Sequence, residues 1–406
     1  MPSCDTMNAF KPRSFRAALP AILSLMLAAF AVGTTETIVT GLLLNISTDL
    51  SVSIAASGML VSGYAIAVAI AAPLLTILTL QLPQKGLLLW TMIIFIASHI
   101  GAAYADTYYG LMVMRIIAAS MHGLFMGVGV VVAVRLVDAN NAGKAIAIMF
   151  TGITVANVLG VPFGVLLGQL YGWRSSFWAI ALLAIITLVL LAITLPKLKI
   201  KTVTLNQELT VLKRPAVWWA LLTTVFSFGS TFVVFTYIVV ILNDITGLTG
   251  AHITLVLLVF GVGLTVGNLI GARTTDRWPI PTILISLTLL SVLMGVFTWT
   301  AATSTAAVIT IFLWGMAGYA FVPGMQLRVM QHAKEAPTLA SALNISAFNI
   351  GIGGGALIGG IVVASPLGVS STPWVGAVVT LISIAILLLS IRAERNKWGL
   401  SSRSIG

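Results

Sequence analysis

Two ionisable side chains lie where a chain rarely keeps charge. Of ten acidic residues, Glu36 is the one well inside a long apolar run, and of twenty-one basic residues Arg115 is the one similarly placed. Keeping a carboxylate ionised at such depth costs several kcal/mol, so a residue there is a functional candidate by default and, by its chemistry, a proton carrier. His122 follows Arg115 by seven residues, two turns of helix on one face. Both are expected to face the interior of a bundle, and Glu36, Arg115 and His122 form a candidate proton-coupling set. Spacing leaves open whether Arg115 or a histidine partners Glu36, whether the carboxylate is permanently paired, and whether Arg115 only anchors its helix near the outer surface.

Other polar groups share this apolar setting. His99 lies mid-run, where an imidazole offers a donor and an acceptor to a ligand or, equally, to a backbone carbonyl. The amides of Asn157, Asn344, Asn349 and Gln326 favour cavity or interhelical contacts over lipid, and Asn344 and Asn349 are not expected to meet one ligand together. Tyr64, Tyr237, Trp314 and Phe321 can line a pocket or serve packing alone. The expected substrate-binding set is therefore His99, Asn349, Gln326, Asn344, Tyr64, Tyr237, Trp314 and Phe321. A single cysteine, Cys4, excludes an internal disulfide framework and a thiolate metal site, and no metal or cofactor is expected.

The elements that hold these residues follow from composition. The chain is 59% hydrophobic and 8% charged over 406 residues, against roughly 25% charged in soluble domains. Continuous apolar runs of about 20 residues predict helices rather than a barrel. Twelve are expected, near 17–45, 53–79, 86–104, 108–135, 143–171, 174–195, 215–243, 250–274, 280–301, 304–330, 338–365 and 372–392. Nineteen of the Lys and Arg residues fall before the first run, after the last, or in every second gap between, which predicts both termini and those loops on the cytoplasmic side. The net charge of +11 thus faces anionic headgroups, and nucleic acid is not an expected partner. The Ala29-Phe30-Ala31 sequence has the look of a signal-peptidase site, but the apolar run continues to about Leu44, so a retained first span is expected.

The stretch 196–214, with five basic residues, separates an N-terminal half (1–195) from a C-terminal half (215–406), each of six spans. The halves are weak internal copies: Asn157, Pro162 and Gly168 register with Asn349, Gly354 and Gly360, and Gly63 and Pro73 with Gly261 and Gly271. Along the fifth span, Gly160, Gly164 and Gly168 recur every four residues, a face that lets another helix approach closely. Pro162 removes one backbone hydrogen bond there and permits bending.

Two six-span halves, a basic central loop and glycine-rich fifth and eleventh spans resemble the major facilitator superfamily over nearly the whole chain. The run from Asn157 through Gly160, Pro162 and Gly164 to Gly168 resembles the antiporter motif of its twelve-span drug:proton antiporters. The run Gly271-Ala-Arg273-Thr-Thr-Asp276-Arg277 resembles its cytoplasmic latch, with Asp276 on helix amides and Arg277 on a neighbouring carboxylate. The first-half counterpart, Pro73 to Lys85, has no acidic residue, so any latch is expected in the second half. Thr34-Thr35-Glu36, Ile96-Ala-Ser-His99 and Phe348-Asn-Ile-Gly-Ile-Gly353 resemble the sugar-efflux and arabinose-efflux-permease-like branch.

That resemblance implies an all-α polytopic protein of the bacterial inner membrane, embedded in lipid as a monomer. It exports a sugar, glycoside or drug in exchange for protons, the proton gradient supplying the energy. Symport or facilitated diffusion is the alternative within transport. A membrane-embedded transferase is disfavoured, because the four histidines are scattered and no carboxylates cluster at a membrane face.

Overall fold

The structure, a computed structural model, describes residues 14–79, 82–138, 141–196, 210–275, 277–333 and 337–401. Among them are twelve helices long and apolar enough to cross a membrane: α1 (Phe15–Asp49), α2 (Ile54–Leu75), α3 (Gln84–Ala103), α4 (Tyr108–Arg135), α5 (Lys144–Tyr171), α6 (Trp173–Thr194), α7 (Pro215–Asp244), α8 (Ala251–Thr275), α9 (Pro279–Thr300), α10 (Ser304–His332), α11 (Ala342–Ala364) and α12 (Val369–Glu394). No strand occurs among the described residues. All twelve expected spans are present. The first extends beyond its apolar run because Asp49 at its tip accepts hydrogen bonds from Trp173 Nε1 (3.0 Å) and Arg174 (2.5 Å), which holds the polar last turn in helical form. Arg174, the one base outside the alternate basic gaps and the spans, is thereby engaged at the Asp49 end of the first helix, where it also reaches the Ala105 carbonyl at 2.9 Å.

The packing has an internal symmetry. In the first six helices α1 packs on α5 and α6, α2 on α4, and α3 on α4 and α6; in the last six α7 packs on α11 and α12, α8 on α10, and α9 on α10 and α12. Each pairing recurs with six added to both numbers. The seam between the two sets obeys the same operation, since α2 meets α11 and α8 meets α5. Inverted or repeated halves of this kind place a ligand site between them, near the midplane.

Three spans are interrupted part-way along, and α12 opens with a 3-10 turn, Val369–Ser371. In α5 the segment Ala156–Gly160 is π-helical, closed by Val161 N–H donating to the Ala156 carbonyl five residues back. Pro162 two residues later has no N–H to give Val158, so the wider turn absorbs the missing bond. In α7 the helix stops at Phe235 and restarts at Ile238, and in α10 it stops at Ala320 and restarts at Val322, just before Pro323. Such interruptions are tolerated at membrane depth only where protein or a cavity surrounds them.

Candidate functional site

The helix that carries Glu36 is held by a ladder of small residues. Gly152, Ala156, Gly160, Gly164 and Gly168 recur every four residues along α5, and they meet α1 at Met26, Phe30, Gly33, Thr34, Ile38 and Leu42. A methyl group at Gly152 would run into the Met26 carbonyl, one at Gly160 into Thr34 Oγ1, and one at Gly164 into Ile38. The backbones lie too close for any larger residue. The antiporter-like glycines therefore fix the height and rotation of α1, and with it the direction of Glu36.

Thr34, Thr35 and Thr37 around Glu36 are buried, while Glu36 itself is only half-buried. No hydrogen bond or ion pair joins its carboxylate to a described residue. Tyr64 of α2, Arg115 of α4 and Tyr319 of α10 lie within reach of its charge, so groups of both halves surround it.

Arg115, fully buried, is not joined to Glu36 by a direct contact. Its Nε donates to the Leu60 carbonyl (3.1 Å) and its Nη1 to the Thr35 carbonyl (3.3 Å), its Nη2 has no partner, and its guanidinium lies 4.5 Å from the centre of the Tyr64 ring. The Tyr64 hydroxyl in turn meets His122 Nδ1 at 3.1 Å. On the other side of α1, the Thr35 hydroxyl meets His99 Nε2 at 2.9 Å. Four helices thus contribute one polar chain: His99 of α3, Thr35 of α1, Arg115 with His122 of α4, and Tyr64 of α2. Sequence reasoning gave a candidate role to every member except Thr35, named there only within the Thr34-Thr35-Glu36 resemblance; its backbone carbonyl and hydroxyl give the connection no sequence signal.

The second half answers with rings and amides. Phe228 of α7 packs on Phe348 of α11 (4.5 Å between ring centres), Phe321 of α10 (5.6 Å) and Tyr319 (6.2 Å). Phe348 and Tyr319 are half-buried, and the Tyr319 hydroxyl lies within electrostatic reach of both Glu36 and Asn157. Asn157 sits on the π-helical turn of α5, where its backbone presses on Gly261 of α8. Asn157 and its repeat partner Asn349 make the same local bond, each amide donating to the carbonyl four residues back at 3.2 and 3.0 Å. Asn349 Oδ1 is buried without a partner. Tyr319 and Phe228 were not anticipated; their signal was weak, aromatic residues in an apolar span like many others.

The remaining expected residues scatter. Asn344 donates to Gln326 Oε1 (2.5 Å) and accepts from Thr224 (3.1 Å), a chain joining α11, α10 and α7 apart from Asn349. Trp314 is enclosed by Phe260, Phe297 and Phe235 with ring centres 5.1, 6.0 and 6.4 Å away, and Phe321 is wholly buried, so both serve packing. His99 has both nitrogens engaged within the first half, Nδ1 lying 2.7 Å from the Phe95 carbonyl, and presents none to the space between halves. Tyr237 stands at the break in α7, its hydroxyl on the Ala356 carbonyl (3.2 Å) and its ring against Gly58 of α2 and Gly359 of α11.

Gly271, of the expected latch, belongs to a second glycine ladder, Gly263, Gly267 and Gly271 of α8 pressed on the backbone of α10 at Phe312, Met316 and Ala320. Asp276 lies outside the described residues, and Arg277 stacks on Trp278 at 4.8 Å rather than on a described carboxylate. Arg328, counted from sequence with the cytoplasmic loop, is instead buried in the last turns of α10. It donates to Glu394 (2.7 Å) and Ser390 (2.8 Å) of α12, which satisfies its charge at that depth.

Comparison with known proteins agrees with this architecture. The family model described as Major Facilitator Superfamily matches residues 25–346 and 239–404. The inner membrane transport protein YdhP of Escherichia coli (strain K12) is 41% identical over 92% of this chain and 96% of its own length. A probable sugar efflux transporter of Mannheimia succiniciproducens is 31% identical over 91% of this chain and 93% of its own. Among solved structures, a D-xylose-proton symporter superposes with a TM-score of 0.75 at 16% identity, covering 91% of this chain and 97% of that one.

Proposed function

The chain belongs to the major facilitator superfamily, a multi-pass transporter of small solutes rather than an enzyme, and from that premise we propose that it exports a small molecule in exchange for protons. The observation that carries this reading is Glu36: an unpaired carboxylate, on the helix gripped by the glycine ladder of α5, open to the space between the halves. When protonated it is neutral and free of any ionic tie; when ionised it stands in the field of Arg115. A proton taken from outside releases substrate there, and loss of that proton to the cytoplasm resets the site. One charge moved through 100 mV supplies about 2.3 kcal/mol, enough to drive such an exchange.

Substrate binds between Glu36 on one wall and Phe348, Tyr319 and Asn349 on the other, which fits a molecule with an apolar face and hydrogen-bond donors: a sugar, a glycoside or a drug. The name of the Mannheimia relative supports the sugar-like part of this range. Tyr237, wedged between α2 and α11, is the outer seal that parts as the halves rock. The membrane is the bacterial inner membrane, with both termini cytoplasmic as the basic gaps require.

The test is a panel of sugars, glycosides and antibiotics added to energised inverted vesicles while lumenal pH is followed. Proton loss from the lumen on adding a compound, absent with Glu36→Gln, is the expected outcome. Transport with a flat pH trace would replace antiport by facilitated diffusion.

A further inference from the structure

His99 is a buried ionisable group that the exchange at Glu36 does not use. Its surroundings supply no carboxylate. Its own helix contributes Phe95, with ring centres 4.2 Å apart, α6 contributes Phe177 at 6.1 Å, and α1 contributes the Thr35 hydroxyl. Arg115 of α4 is the charged group whose field reaches the ring, and Glu36 is the next residue after Thr35. A leucine or phenylalanine would fill this apolar space without leaving polar atoms to satisfy.

The hydrogen bonds fix the tautomer. The Phe95 carbonyl can only accept, so the neutral ring carries its proton on Nδ1, which leaves Nε2 basic and facing Thr35 at 2.9 Å. The same Thr35 hydroxyl lies 3.0 Å from the Ala31 carbonyl. Thr35 therefore has one proton and two acceptors. If Nε2 gains a proton, the Nε2–Thr35 bond reverses, the hydroxyl turns to Ala31, and every donor stays satisfied with no heavy atom displaced. Few buried histidines are placed to accept a proton with so little rearrangement.

We propose that His99 is a second proton-binding site, which stores the proton of Glu36 while the carboxylate is ionised. This rests on the reading of Glu36 as the carrier. In the transfer the Glu36 O–H bond breaks and its proton is carried by an entering water molecule to Thr35 Oγ1, on the preceding residue; the original Thr35 proton moves to His99 Nε2, forming the new N–H bond. Glu36, Arg115 and His99 together carry one positive charge before and after, so the buried pocket undergoes no change of net charge. The carboxylate and the imidazolium form together as opposite charges, and their attraction has to offset both the desolvation of each and the repulsion of the ring by Arg115.

The test is nitrogen NMR of imidazole-labelled protein in lipid nanodiscs, titrated from about pH 5 to about pH 9, the range in which histidine switches. The signal of His99 is identified by its loss in His99→Gln. In the wild type the spectrum should pass through an imidazolium form of His99, and in Glu36→Gln, where no carboxylate can lend a proton or balance the charge, His99 should stay neutral throughout. A wild-type His99 that remains the neutral Nδ1–H tautomer over the whole range overturns the proposal, as does equal protonation in both proteins. Neither outcome touches the role of Glu36, which falls only if compound-driven proton movement survives Glu36→Gln.

Discussion

Each half of the molecule buries one arginine among the described residues, and the two are held in opposite ways. Arg328 of the second half is locked to a carboxylate at 2.7 Å, with Ser390 beside it and His332 3.4 Å from the same Glu394. Arg115 of the first half touches only backbone carbonyls and the face of a tyrosine, while the one carboxylate near it stays out of contact. A charge permanently paired is structural, because no proton can move without breaking the pair. A charge whose counter-ion is near but free responds to that counter-ion's protonation. In the exchange proposed above, proton chemistry therefore belongs to the first half, and the second supplies shape, rings and amides.

Breaking the locked pair should have the largest effect. Arg328→Ala leaves the part-exposed Glu394 with His332 and Ser390 as its remaining partners and is expected to lower stability by about 2 kcal/mol, read as a drop in melting temperature in detergent, whereas replacing both partners by apolar residues should recover most of it. If the single and double variants melt alike, Arg328 and Glu394 are not a coupled pair. Next comes Glu36→Gln, which should spare the fold but remove the benefit of the membrane potential. The substrate gradient held at 100 mV should fall by about 50-fold, the equivalent of 2.3 kcal/mol.

Smaller effects sharpen the contrast. Gly164→Val forces a branched side chain into Ile38 of α1 and should cost about 2 kcal/mol while also impairing exchange, because α1 can no longer hold Glu36 at its height. A variant that is destabilised yet exchanges at the normal rate would detach the glycine ladder from function. Asn349→Ala removes the unpartnered Oδ1 and should weaken substrate binding by roughly fivefold, about 1 kcal/mol, with the number of protons per substrate unchanged. Should that number change instead, proton and substrate chemistry are not divided between the halves as argued.

Much of this was legible in the sequence because it depends on period and composition. The twelve spans follow from hydropathy, and the α5 glycines announce a close helix by recurring every four residues. The partner helix, α1, could not be read, since nothing local in Gly160 says that Thr34 stands opposite. Glu36 and Arg115 stood out as charges in apolar runs, but spacing left the partner of Glu36 open, and the fold gives Arg115 the Thr35 and Leu60 carbonyls. Backbone acceptors leave no mark in sequence. Arg328 was missed as a buried residue because it lies about one turn from a helix end, where an exposed and a buried arginine look alike until α12 brings Glu394 beside it. The π-helical turn before Pro162 and the break at Tyr237 depend on which carbonyls neighbouring helices can cover, a property of packing alone.

The central claim is that an unpaired Glu36 couples protons to export. The most direct measurement reconstitutes purified wild type and Glu36→Gln in liposomes, imposes a pH gradient without a substrate gradient, and follows accumulation of a compound identified in the vesicle panel. Uphill accumulation by the wild type, with only equilibration by Glu36→Gln, is the predicted result. Equal uphill accumulation by both proteins would place the coupling elsewhere and contradict the account.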